Sequence, residues 1–106
     1  MSDKEKMLDE IRGEMMVMNL AQEQMRKLRL PENRSKGSWE NDHPLTLFVR
    51  LTEEVRELRE ELHLSFSFSS HSSMLRREDL DKILSECADV ANFAAMIADV
   101  CSRRLA

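Results

Sequence analysis

The stretch Ser85–Cys101, SECADVANFAAMIADVC, constrains this chain more than any other. From Glu86 to Cys101 nearly every residue is small or apolar, the exceptions being Glu86, Asp89, Asn92 and Asp99. A helix apolar on all sides needs cover all round, in a core or between subunits. A carboxylate on such a helix is costly unless a partner or a cation meets it. Glu86 and Asp89 stand at i and i+3, so their Cβ atoms share one face about 5–6 Å apart. Both can therefore reach one cation, provided the rest of the chain supplies matching ligands.

The totals narrow the fold. The 106 residues are expected to form a single domain spanning 1–106, with a core small enough that oligomerisation would help it. Glycine and proline occur only twice each, tyrosine is absent, and 34% of residues are charged, a composition that predicts an all-α chain. A net charge of −4 disfavours a sequence-independent nucleic-acid binder, which needs a basic face. The N-terminus lacks an apolar signal core and no apolar run reaches membrane length, so a cytoplasmic protein with no membrane partner is expected. Cys87 and Cys101 on one helix would lie about 21 Å apart, too far to bridge. They read as buried thiols in a reducing compartment.

Three main helices are expected. Ser2 with Glu5 forms a capping-box signature opening a helix to about Arg29. Its apolar stripe, Leu8, Ile11, Met15, Met18, Met25 and Leu28, predicts packing on another helix. Pro31 stops it, and residues 30–43 form a long polar connection carrying Lys36 and Trp39. Trp39 suits stacking on a nucleobase with Lys36 meeting a phosphate, or it covers the end of the bundle. Pro44 opens the second helix after a cap at Asp42 or His43, and this helix runs to Leu62 or Leu64. Leu47, Leu51, Val55, Leu58 and Leu62 form its core stripe. At about 100° per residue, Glu54, Glu57 and Glu61 line one border of that stripe, while Glu53 and Glu60 face away. The serine tract 65–73 reads as a loop. His63 and His71 have no zinc-ligand spacing. The third helix runs from about Arg77 to Arg104.

Two acidic pairs result, Glu54 with Glu57 and Glu86 with Asp89. Antiparallel packing of their helices would gather four carboxylates, which stay ionised together only around cations. Ligation by oxygen alone points to Mg²⁺ or Mn²⁺.

At these residues the chain resembles a family. The string LTEEVRELREEL and the later ECADVANF are similar to the EExxE…ExxD signature of MazG-type nucleoside triphosphate pyrophosphohydrolases, the all-α NTP pyrophosphatase superfamily. The resemblance spans about Lys36 to Ala98 and includes KGSW and HP before the acids and DVAN after them. It implies a homo-oligomer, dimer or tetramer, built on a four-helix-bundle core, and Mg²⁺-dependent cleavage of a nucleoside triphosphate to the monophosphate and pyrophosphate. It further implies metal ligation by Glu54, Glu57, Glu86 and Asp89, water activation by Glu53, nucleotide contacts from Lys36 and Trp39, and either a nucleotide contact or the orienting of a ligand by Asn92. Phosphoribosyl-ATP pyrophosphohydrolases carry an ADLLYH-like string where this chain has ADVANF, which disfavours that reaction. The rival expectation is a non-catalytic helical dimerisation or regulatory module whose acidic pairs are structural.

Overall fold

The helical periodicities carry through into the computed structural model, which describes residues 1–31, 39–67 and 75–105. Helix α1 spans Asp3–Leu28, a short 3₁₀ turn Trp39–Asn41 follows, α2 spans Pro44–Ser67 and α3 spans Arg77–Leu105. The described residues contain no strand, so the chain is all-α.

The ends form where local chemistry puts them. The Ser2 hydroxyl accepts from the Glu5 N–H at 3.2 Å, satisfying one of the orphan donors at the start of α1. Before α2, His43 rather than Asp42 is the cap. Its Nδ1 accepts from the Leu45 N–H at 3.1 Å, and its carbonyl accepts from Thr46 and Leu47. Acidic residues open α3 and basic residues close it, each opposite in sign to the helix dipole.

Helix α2 runs past the expected stop at Leu62 or Leu64 and takes in Ser65–Ser67. The Ser65 hydroxyl donates to Glu61 Oε1 one turn back, at 3.3 Å, and Ser65 is buried. Serine favours a loop because its hydroxyl competes for backbone groups. Here a side chain of the same helix occupies that hydroxyl. The remainder of the serine tract lies outside the described residues.

Helix α3 is the shared element. Both α1 and α2 pack on it and barely touch each other, and the 3₁₀ turn rests on its later half. Cross-contacts pair rising numbers with falling ones: Arg50 with Phe93 then Glu54 and Glu57 with Glu86 on α2–α3, and Gln24 with Asn92 then Lys27 with Asp89 on α1–α3. Both neighbours therefore run antiparallel to α3. Among the described residues, the buried apolar core is Leu47 of α2 with Ala88 and Val100 of α3.

Several expected core positions are open. The α1 stripe of Leu8, Ile11, Met15, Met18, Met25 and Leu28 is exposed, as are Val55 and Leu62 on α2. Cys101 is exposed and Cys87 only partly covered, so the expected pair of buried thiols is not found in the single chain. The reason is geometric. A helix with one neighbour has one face to bury, and only α3 has two neighbours. A radius of gyration of 16.9 Å, against about 13 Å for a compact chain of this length, reflects the same openness. Among the described residues no helix is long and apolar enough to cross a membrane.

Candidate metal centre

The α2–α3 seam brings the acids together. Glu54 and Glu57 lie one turn apart on the border of the α2 stripe, so the face that buries Leu47 also delivers both carboxylates to α3. One turn N-terminal to Glu54, the Arg50 guanidinium sits 4.9 Å over the Phe93 ring. The antiparallel course then sets Glu54 and Glu57 against Glu86. One carboxylate oxygen from each of Glu54, Glu57 and Glu86 lies within 4.8 Å of the other two.

The electrostatics are unfavourable as they stand. At that separation each ionised pair repels by roughly 3 kcal/mol at an effective dielectric of 20. Glu54 Oε2 and Glu86 Oε2 are buried and, among the described residues, have no hydrogen-bond partner. Burial, a hydrogen bond with Glu57, and the charges of Glu57, Asp89 and Glu86 push the Glu54 carboxyl up to about 7. Burial, then the charges of Asp89 and Glu57, raise that of Glu86, while the nearby Lys27 ammonium opposes the rise. Such a cluster relaxes by sharing protons or by holding a cation. Three oxygen donors with two orphaned buried oxygens fit a hard divalent ion such as Mg²⁺ or Mn²⁺.

The other expected residues divide. Asp89 acts electrostatically on both Glu54 and Glu86, so it borders the trio. Its Oδ2 meets the Lys27 ammonium at 3.1 Å. Asn92, one turn on, is buried and exchanges bonds with Gln24. The Gln24 amide donates to Asn92 Oδ1 at 3.1 Å, and Asn92 Nδ2 donates to the Gln24 carbonyl at 3.3 Å. Glu53 is exposed and outside the trio. The Trp39 indole N–H donates to Asp99 Oδ2 at 3.1 Å, and Arg103 holds the same oxygen at 2.9 Å. Asp99 is ten residues beyond Asp89, about 15 Å of helix, so Trp39 is anchored well along α3 from the acids. Lys36 lies outside the described residues.

Gln24 and Lys27 are the partners that sequence reading passed over. The signal was present: an amide and an ammonium at i and i+3 on α1 mirror, in reverse order, the carboxylate and amide of Asp89 and Asn92 on α3. Compared with known proteins, the chain matches no family model, no curated protein and no solved structure.

Proposed function

We propose that the chain is a divalent-cation-dependent nucleoside triphosphate pyrophosphohydrolase of the MazG type, releasing the monophosphate and pyrophosphate. The observation that carries this reading is the trio of Glu54, Glu57 and Glu86, oxygen-only and with two buried oxygens unpartnered among the described residues. These are also the acids at which the sequence resembles that family. Glu54, Glu57 and Glu86 would hold the ion, with Asp89 as the fourth carboxylate. A bound Mg²⁺ supplies charge neutralisation for phosphate oxygens and polarises a water, which is most of what phosphoryl transfer demands.

The chain's own residues do the rest. The antiparallel α2–α3 packing fixes the spacing of the carboxylates before substrate arrives. Asn92, locked by Gln24, holds the next turn of α3 in place. Glu53, exposed and next in sequence to Glu54, would serve as the proton acceptor. Trp39 and Lys36 are the contacts for base and phosphate, and the role in the cell is removal of unwanted nucleotides from the pool.

The same reading makes the chain a homo-oligomer. A groove of about 510 Å³ lined by Val55, Leu58, Arg59, Leu62, His63 and Phe66, together with the exposed stripe of α1, leaves apolar surface of the kind a bundle of two chains covers.

The test is release of pyrophosphate from a panel of ribo- and deoxyribonucleoside triphosphates, with Mg²⁺ and with EDTA. The expected result is Mg²⁺-dependent monophosphate and pyrophosphate, abolished in the Glu86→Ala, Asp89→Ala double variant. No turnover of any nucleotide by the folded protein would favour the non-catalytic helical module instead.

A further inference from the structure

Lys27 is the one observation at the acidic seam that the proposed reaction does not use. It sits in the last turn of α1, and its ammonium lies 3.1 Å from Asp89 Oδ2. Both side chains are well covered, at 17% and 21% exposure. The neighbouring cation, Arg26, is turned away and gripped by both oxygens of Glu23. Lys27 is aimed instead by the register of α1 on α3. The reciprocal Gln24–Asn92 bonds pin one turn, and the next turn of both helices places Lys27 against Asp89. The charge of Lys27 is also felt at Glu86, where it favours the ionised carboxylate. A monovalent cation carried by a third helix thus holds the fourth carboxylate beside the trio.

We propose that Lys27 is a built-in competitor for the divalent ion: it and the metal exchange on Asp89, so that α1 sets how tightly the acidic seam binds its cation. This rests on the cation-site reading above and adds a regulator to it. In the metal-free protein, Lys27 neutralises one of four clustered carboxylates and ties α1 to α3. When a divalent ion recruits Asp89, the ammonium is released. The cost of that release weakens metal binding, and any change that shifts α1 changes metal affinity.

The experiment measures Mn²⁺ binding by calorimetry and by the loss of the free-ion electron-resonance signal, in wild type, Lys27→Met and Lys27→Arg. Lys27→Met is expected to bind Mn²⁺ at least about tenfold more tightly than wild type, because a positive charge that competes for Asp89 and repels the ion is removed. Lys27→Arg keeps the competing charge and stays within a few-fold of wild type. A second measurement needs no variant. Acetylation of Lys27 in the wild-type chain, read by peptide mass spectrometry, is expected to rise severalfold when Mn²⁺ is bound. Unchanged or weaker binding by folded Lys27→Met, or Lys27 labelling that does not rise while Mn²⁺ is bound, overturns the proposal and leaves the cation site standing. Absence of Mn²⁺ binding in both wild type and Lys27→Met removes the cation site and the proposal with it.

Discussion

Two polar seams meet on α3, and they are built on opposite principles. Along α1 the polar groups that bond across to α3 are complementary: amide with amide at Gln24 and Asn92, ammonium with carboxylate at Lys27 and Asp89. Along α2, carboxylate faces carboxylate, and two buried oxygens have no hydrogen-bond partner among the described residues. The seams share one helix and adjacent turns, so the difference lies in the residues chosen and not in the backbone. A matched seam fixes register and orientation. An unmatched one raises the energy of the fold, a cost that the proposed cation would offset.

The largest expected effect separates the seams by activity. Glu86→Ala should lower Mg²⁺-dependent pyrophosphate release on the order of a thousandfold, since several kcal/mol of charge stabilisation are lost with the ion. Gln24→Ala, on the matched seam, should leave turnover within a few-fold.

Stability should reverse that order. Gln24→Ala leaves Asn92 Oδ1 without the Gln24 amide donor, while Asn92 Nδ2 keeps the backbone carbonyl, at a cost of about 1–3 kcal/mol that denaturant unfolding will register. In Mg²⁺, the wild-type chain should gain roughly 2–3 kcal/mol at a concentration a hundred times the dissociation constant, seen as a higher Tm. The Glu86→Ala variant should lose most of that gain. If Gln24→Ala also removed the Mg²⁺ response, the two seams would be one unit and the contrast between them would fail.

The smallest effect concerns pH. The Glu54 carboxyl is raised to about 7 in the folded chain, above its ordinary value of 4.5. Between those two values the folded state holds a proton that the unfolded state has released. In EDTA the contribution of Glu54 to stability is therefore full below about 4.5 and lost as pH rises towards 7. Melting of wild type against Glu54→Gln over that range should show the difference, the variant lacking this pH dependence. Metal binding competes with the same proton and should strengthen as pH rises through 7.

The helices were legible in the sequence because each carries a periodic stripe and explicit ends: Ser2 for α1, His43 and Pro44 for α2, the acidic and basic turns of α3. The acidic trio was legible too, since glutamates at i and i+3 on the border of one stripe must face whatever that stripe packs against. Coverage was less so. A stripe such as Leu8 to Leu28 states that a face wants burial, not that this chain alone will supply it, and in the single chain that face is open. The fate of Asp89 was hidden for a related reason. Its spacing from Glu86 suits a fourth ligand, but its ammonium partner comes from a third helix, through a register that only the packed α1–α3 seam defines. Ser65 extends α2 through a bond to Glu61 that a count of serines does not reveal.

The most direct test is a crystal of the protein soaked in Mn²⁺ and measured at the manganese absorption edge. The account predicts an anomalous peak among the carboxylate oxygens of Glu54, Glu57 and Glu86, each about 2.1–2.2 Å from the ion, as oxygen ligands of a small divalent metal require. A trio that stays free of anomalous density at saturating Mn²⁺, with its carboxylates sharing protons instead, would contradict it.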